Sequence, residues 1–260
     1  MSSAYGSIAR PISDKSLGSI LPRHAKLRAV TDQDSSSAVN DATLFKIISQ
    51  PLKQDSKKQD ESVYILDAAA HSTLLEAMGT VFNNEVDRGD TYPQEHRLDT
   101  AQFDNYFFSG DAFVLLKGHY SHATDVLPKG SASEWDDDLL GFFYIKPNFP
   151  GRCSHICNGG FMVNPAHRGL GLGSIMGKAF LRIVPVIGYK ASMFNLVFVS
   201  NVASIKLWRR LGFKEIGRIP KAGRLRGQGA DHSQDNSDNE GYVDAIQFYW
   251  DFETMPVTED

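Results

Sequence analysis

Cysteine is scarce in this sequence, with two among 260 residues, Cys153 and Cys157. This count excludes a disulfide-rich secreted scaffold and suits a reducing compartment. Long apolar runs are also absent: no window approaches the roughly 18 uninterrupted residues of a membrane-spanning helix. The net charge of −4 gives no reason to expect a nucleic-acid partner. The whole chain is 42% hydrophobic and 22% charged, which is ordinary for a globular protein with one well-buried domain.

The N-terminal segment is polar and serine-rich, and residues 1–40 have no sustained apolar period. We expect residues 1–60 to form a flexible extension, although residues 43–49 could form an early strand. The first 30 residues contain one acid, Asp14, and five bases: Arg10, Lys15, Arg23, Lys26 and Arg28. This composition also fits a mitochondrial presequence, but Pro11 and Pro22 interrupt an amphipathic helix. The sequence therefore predicts a cytoplasmic protein, with mitochondrial import as the alternative.

A strand, a glycine-rich turn and a helix follow one another between residues 158 and 183. The apolar run at 158–163 is bounded by glycines and a proline, which is typical of a buried strand. Gly169, Gly171 and Gly173 alternate along the turn. The helix has one apolar face, made by Leu172, Ile175, Met176, Ala179, Phe180 and Ile183. Free N–H groups at such a helix start favour a phosphate or pyrophosphate.

Two common nucleotide-binding patterns do not fit this turn. The dinucleotide pattern G-x-G-x-x-G fails because Ser174 and Met176 stand where a third glycine is needed. The P-loop pattern fails because Leu172 and Ala179 occupy its Gly and Ser/Thr positions.

A third pattern, [Gln/Arg]-x-x-Gly-x-[Gly/Ala], is met by Arg168, Gly171 and Gly173. It resembles the coenzyme A turn of the GNAT N-acetyltransferase superfamily. Taken alone, the turn also fits a strand-to-helix connection that binds nothing. A second apolar strand at 194–200, followed by a helix that begins at the N-cap Asn201 and ends before Gly212-Phe213, resembles the other half of the GNAT signature.

This resemblance implies the α/β (α+β) class: a three-layer αβα GNAT acyltransferase fold with a central mixed sheet at residues 61–260. The remaining pattern predicts helices near residues 71–89 and 103–107, and strands at 112–117, 139–146, 214–220 and 244–252. Residues 224–241 are rich in Gly, Asn, Asp and Ser and are expected to be a disordered insertion.

Several blocks outside the superfamily motifs are more specific. They are Thr91–Gln94 with His96, Gly141–Asn148, Arg152–His155 with Cys157-Asn158, Ala166–Gly169, and Gly188–Lys190 with Phe194–Val199. They resemble the fungal N-acetyltransferases of L-azetidine-2-carboxylate, enzymes linked to proline-analogue detoxification and oxidative stress. The resemblance implies acetyl-CoA as cosubstrate, a small imino or amino acid as acceptor, and a homodimer.

The resemblance also assigns candidate site residues. The coenzyme would be bound by Met162, Val163, Arg168, Gly169, Leu170, Gly171, Leu172, Gly173, Ser174 and Asn201. The acceptor would be bound by Tyr92, Asn158, Phe161, Phe194, Asn195 and Leu196, with Asn158 orienting its nitrogen. Asn158 and Asn201 are the candidate catalytic residues. A main-chain N–H at Met162 or Val163 would polarise the thioester carbonyl.

Proton transfer in this chain differs from the common superfamily pattern. Many relatives have a Tyr general acid where this chain has Trp208, whose indole has no proton to give at a useful pKa. We expect Asn201 to donate a hydrogen bond to the departing thiolate. Each asparagine also has a purely structural reading: Asn201 as an N-cap, and Asn158 as the partner of a buried strand end.

Other features carry alternative readings. Cys153, His155 and Cys157 offer three metal ligands but no fourth, so no metal is predicted. His167 fits a phosphate contact or a surface residue better than a base. Two rival functions stay open: acetylation of a protein or peptide amine, which predicts an open acidic groove, and a non-catalytic coenzyme-binding regulator.

Overall fold

The computed structural model describes residues 8, 9, 11, 13, 15–27, 41–49, 64–227, 240–255 and 257. Within them the strands are β1 (Arg23–Lys26), β2 (Asp41–Ile48), β3 (Ile65–Asp67), β4 (Asp111–Lys117), β5 (Leu139–Pro147), β6 (Ile156–Val163), β7 (Ala191–Phe198), β8 (Lys214–Arg226) and β9 (Glu240–Asp251). The α-helices are α1 (Ser72–Arg88), α2 (Thr100–Phe107), α3 (Leu172–Val186) and α4 (Val202–Leu211).

All nine strands of the described chain join one sheet. Its order is β1-β2-β4-β5-β6-β7-β9-β8, and β3 pairs with the end of β2. The β2–β3 and β6–β7 pairs are parallel, and the others are antiparallel. The predicted central mixed sheet is therefore confirmed.

Each face of the sheet carries its own apolar core. On β4, Phe113 and Leu115 pack on the side of α3 and α4, whereas Ala112, Val114 and Leu116 pack on the side of α1 and α2. This alternation is what a strand buried on both faces requires. The helices on the two faces complete the three-layer αβα fold that was predicted.

Cap residues set the helix ends close to where the sequence placed them. The Asn201 side chain accepts a hydrogen bond from the Ser204 N–H at the start of α4, and Gly212 ends that helix with φ 93°. Gly89 ends α1 in the same left-handed conformation. Such residues relieve the unpaired backbone groups of helix termini.

The N-terminal part of the chain differs from the expected flexible extension. Arg23–Lys26 pairs with β2, and β2 pairs with β4, so residues below 61 contribute two strands to the sheet. Leu17 and Leu21 are also buried against the α3 side of the sheet. β1 is an edge strand that alternates between half-buried and exposed positions, and with Ala25 as its one apolar residue its sequence carries no apolar period. Residues 28–40 and 50–63 lie outside the described residues.

The last two strands are longer than predicted. β8 runs to Arg226 and β9 begins at Glu240, so both ends of the expected insertion at 224–241 belong to the sheet. Residues 228–239 lie outside the described part of the chain. Among the described helices, none combines the length and the apolar content needed to cross a membrane.

Candidate active site

The site lies where β6 and β7 separate. These parallel strands pair at Ile156–Ala191 and Cys157–Ser192, and their pairing ends there. β6 stays paired with β5 as far as Val163, while β7 pairs with β9. Two connected clefts open along this gap.

The glycine-rich turn has the conformation that the pattern predicts. Gly169 has φ 89° and Gly171 has φ 79°, a region that L-residues with a Cβ rarely adopt. A Cβ built on either glycine would meet no atom within 4 Å, so the turn faces open space. Gly171 is the N-cap of α3 and has no side chain to bind the first N–H groups of that helix. Those groups are available to an anion.

This turn lines a cleft of about 680 Å³, which we call the turn cleft. Nine of the ten residues predicted to bind the coenzyme line it: Met162, Val163, Arg168, Gly169, Gly171, Leu172, Gly173, Ser174 and Asn201. The tenth, Leu170, is not among the lining residues and packs instead against the apolar core on the α3 side. The Leu170 side chain packs on this core, while the neighbouring Gly169 and Gly171 expose their backbone to the cleft.

A buried carboxylate at the end of α1 fastens the turn. Glu85 is 3% exposed and accepts hydrogen bonds from Arg168 Nη2 at 2.6 Å, from Arg88 Nη1 at 3.1 Å and from Thr91 Oγ1 at 3.2 Å. Charged partners offset the cost of burying this carboxylate. Sequence reasoning missed Glu85, because nothing in its local pattern distinguishes it from other helix acids.

A third cation at the turn cleft, after Arg88 and Arg168, comes from α4. Arg210 donates a hydrogen bond from Nη2 to Ser174 Oγ at 2.6 Å, next to the first turn of α3. Arg210 lines the turn cleft together with Arg168 and Arg88. The sequence signal was the Arg209-Arg210 pair in the last turn of α4, which also fits a simple helix-dipole interaction.

A smaller cleft of about 310 Å³ lies along the open ends of β5, β6 and β7, and we call it the strand cleft. All six residues predicted to bind the acceptor line it: Tyr92, Asn158, Phe161, Phe194, Asn195 and Leu196. Among the lining residues to which sequence reasoning assigned no role are Tyr106, Tyr144 and Lys146. Tyr144 and Lys146 lie in a block that the resemblance had singled out, but no role was assigned to them.

The phenols of Tyr92 and Tyr144 in the strand cleft stay protonated. Burial raises the pKa of Tyr92 and of Tyr144 well above the usual range, and neighbouring phenols raise both further. The hydroxyls of Tyr106 and Tyr144 are hydrogen-bonded at 3.1 Å. The wall therefore offers aromatic surface and neutral hydroxyl groups.

Two asparagines of the strand cleft are already hydrogen-bonded. Asn158 Oδ1 accepts from the Gly159 N–H at 2.9 Å. Asn195 exchanges two side-chain hydrogen bonds with Asn148, at 2.8 and 2.6 Å.

β7 has a bulge at Asn195 and Leu196. Phe194 faces Phe248 and Val197 faces Ile246, so two residues of β7 lie opposite one residue of β9. Such a bulge re-aims backbone groups and is common beside active sites.

Six residues line both clefts and join them: Thr91, Tyr92, Phe161, Asn201, Ser204 and Trp208. The ring of Trp208 lies 4.5 Å from that of Phe194 and 4.9 Å from that of Phe161. Asn201 uses Oδ1 for the α4 cap, which leaves Nδ2 as the donor at this junction. Asn201 therefore caps α4, as its structural interpretation requires, and also lies at the junction of the two clefts.

The other residues considered from the sequence are His167, Cys153 and Cys157. His167 Nε2 bonds the Asp136 carbonyl at 2.9 Å, at the rim of the turn cleft. Cys153 is exposed whereas Cys157 is buried in the core, where burial raises the pKa of its thiol to about 12. Among the described residues, no three His, Cys, Asp or Glu side chains gather as a metal site.

Comparison with known proteins gives one consistent result. Residues 93–213 match the Acetyltransferase (GNAT) family. The chain is 41% identical over 184 residues to the N-acetyltransferase aca1 of Schizosaccharomyces pombe, which covers 70% of this chain and 82% of aca1. A GCN5-related N-acetyltransferase from Kribbella flavida matches with TM-score 0.54 and 26% identity, over 70% of this chain and 94% of its own. The Salmonella typhimurium protein yncA, solved with its cofactor acetyl-CoA, shares the fold at TM-score 0.51 and 14% identity, over 72% and 92% of the two chains.

Proposed function

This chain belongs to the GNAT acetyltransferase family, and from that premise we propose that it acetylates the nitrogen of a small imino or amino acid such as L-azetidine-2-carboxylate. Related proline analogues and intermediates of proline metabolism are included in this class. Acetyl-CoA is the acetyl donor, and transfer is direct, without a covalent enzyme intermediate. One observation carries the proposal: the strand cleft meets the turn cleft at Phe161, Asn201 and Trp208, so two small ligands would lie end to end.

The turn cleft suits the coenzyme. Its glycines and the uncapped start of α3 present N–H groups to a pyrophosphate, and the positive end of the helix dipole adds to the attraction. Arg168 and Arg210 add positive charge to the same cleft. The acetyl end would extend along β6, where alternate N–H groups point away from β5. The N–H of Met162 or Val163 would then polarise the thioester carbonyl.

The strand cleft suits a small acceptor. Its volume of about 310 Å³ lies at the low end of ligand pockets. Asn158 Oδ1 has a second lone pair beside the one that the Gly159 N–H uses, and this lone pair can orient an acceptor N–H. The bulged segment at Phe194–Leu196 would bind the acceptor carboxylate with backbone N–H groups. Positioning of this kind supplies a large share of the rate enhancement in transfer between two bound substrates.

The departing sulfur would be stabilised by a neutral donor. A free thiol titrates near about 8.5, so its thiolate leaves with help from hydrogen bonds alone. Asn201 Nδ2 lies at the junction of the clefts and can give such a bond, whereas the Trp208 indole cannot act as an acid.

A thiol-release assay with the purified protein tests this function. We expect acetyl-CoA to release CoA in the presence of L-azetidine-2-carboxylate and to release none with a histone-like peptide. Transfer to the peptide alone would identify a protein acetyltransferase, and coenzyme binding without transfer to any amine would identify a regulator. Sedimentation of the same sample tests the predicted homodimer, and fractionation of cells tests the predicted cytoplasmic location against mitochondrial import.

A further inference from the structure

Lys146 places a cation inside the strand cleft. It lies near the end of β5, opposite Asn158 of β6. Its Nζ is 4.5 Å from the ring centroid of Tyr144 and 4.7 Å from that of Tyr106. Both rings line the cleft, so the ammonium group is held against the wall where the acceptor would bind.

This cation has no acidic partner in the described part of the chain. No Asp or Glu is among the described residues that line the strand cleft, and Lys146 carries the one formal charge there. The ion pairs among described residues also leave Lys146 out. Burial lowers the pKa of Lys146, as expected for an ammonium that has lost water without gaining a carboxylate.

Lys129 and Arg168, unlike Lys146, each have a carboxylate partner. Lys129 also lies over an aromatic ring, that of Trp135 at 4.6 Å, but its ammonium group contacts Asp138. In the neighbouring turn cleft, Arg168 is paired with Glu85. A desolvated charge without a partner is costly, and a ligand of opposite charge would offset that cost.

The position of Lys146 also fits the segment expected to bind a carboxylate. Asn148, two residues further along the chain, holds Asn195 through a pair of amide hydrogen bonds. The end of β5 is thereby fastened to the bulge of β7. Lys146, Asn195 and Leu196 consequently line the same small cleft as the nitrogen-orienting Asn158.

We propose that Lys146 recognises the acceptor carboxylate and restricts the enzyme to α-imino and α-amino acids whose carboxylate is free. This inference rests on the proposed function and deepens it, because it excludes neutral amines, amino-acid amides and the basic tails of proteins. Lys146 would act as a specificity determinant that contacts the substrate, and the coenzyme would be unaffected by it.

The test compares an acid with its amide. Initial rates would be measured for L-azetidine-2-carboxylate and for azetidine-2-carboxamide, with the native protein, Lys146→Met, Lys146→Arg and the exposed control Lys206→Met. We expect the native protein to prefer the acid by roughly 30-fold or more in kcat/KM, the effect of removing one partner of a desolvated charge pair. Lys146→Met should reduce this preference to about threefold, mainly through the KM of the acid. Lys146→Arg should keep part of the preference for the acid, and Lys206→Met should keep all of that preference.

Coenzyme binding and unfolding of each variant complete the experiment. An unchanged acetyl-CoA Kd and a cooperative urea transition in Lys146→Met would assign the lost preference to the acceptor site. An acid preference that survives in Lys146→Met would overturn the inference while leaving the acetyltransferase function intact. An equal loss toward acid and amide would also overturn it, because Lys146 would then serve the chemistry or the fold. Absence of transfer to either compound by the native protein is the separate failure of the proposed function.

Discussion

The guanidinium of Arg168 donates a hydrogen bond to the buried carboxylate of Glu85, with 2.6 Å between Nη2 and Oε1. This contact joins the glycine-rich turn to the end of α1 across 83 positions of sequence. Thr91, which lines both clefts, contacts the other oxygen of the same carboxylate. One acidic side chain thus sets the relative position of the glycine-rich turn and the loop that contains Thr91.

Replacement of Glu85 should therefore affect stability and coenzyme binding together. We expect Glu85→Gln to lower the free energy of unfolding by about 1–3 kcal/mol, because two guanidinium groups lose their buried partner. Its KM for acetyl-CoA should rise, as measured by initial rates beside urea unfolding. Asp87→Asn, which breaks the exposed pair with Arg97, is the control and should cost less than about 1 kcal/mol. Equal behaviour of the two variants would show that Glu85 does not position the turn.

The two roles of Asn201 can be separated by substitution. Asn201→Ala removes both the α4 cap and the proposed donor, and should cost about 1 kcal/mol of stability. Asn201→Asp keeps the cap acceptor and lacks the donor, so its stability should be near native. Both should lower kcat roughly 10²-fold, the typical cost of one lost donor to a developing anion.

The matched control for this comparison is the N-cap of α2, Asp99, which lies outside both clefts. Asp99→Ala should lose similar stability to Asn201→Ala and retain its turnover. Native turnover in Asn201→Asp would remove the proposed role in thiolate departure.

The turn glycines predict an effect on coenzyme affinity that exceeds the effect on stability. Gly171→Ala places a Cβ at φ 79°, which costs about 1–2 kcal/mol, and projects it into the open space in front of the turn. Gly151→Ala has the same kind of strain at φ 58° and lines neither cleft. Calorimetry should find acetyl-CoA bound at least about tenfold more weakly by Gly171→Ala than by Gly151→Ala. Equal affinities would indicate that the turn does not approach the coenzyme.

Cys157 predicts a pH dependence of stability above its ordinary pKa. Its pKa is raised from 9.0 to about 12 by burial, so the unfolded thiol ionises first and the free energy of unfolding falls as pH rises through this window. Between roughly pH 8 and pH 10 this loss should be about 1.4 kcal/mol. Urea unfolding of Cys157→Ala should lack that loss, whereas the exposed Cys153→Ala should keep it. The same slope in all three proteins would contradict the shift.

Local signals explain which parts were predictable. α3 and its turn could be predicted because a continuous apolar face and three spaced glycines lie within one short segment. β1 could not, because three polar residues and one alanine at a sheet edge become a strand through pairing with β2, which a local pattern does not encode. Glu85 and Lys146 were missed for a related reason: their environments are built by residues far away in sequence, Arg168 and Tyr106 respectively. The assigned roles of Asn158 and Asn201 stay predictions until the assays above are done.

The early end of the β6–β7 pairing leaves an open strand edge in the interior of the sheet. Such an edge offers N–H and C=O groups to any extended chain that carries amides. The pantetheine arm of acetyl-CoA has this chemistry, so the protein without coenzyme resembles a sheet that lacks one strand at its centre. Coenzyme binding should complete that sheet and raise the melting temperature, which couples the stability of the folded protein to the supply of acetyl donor.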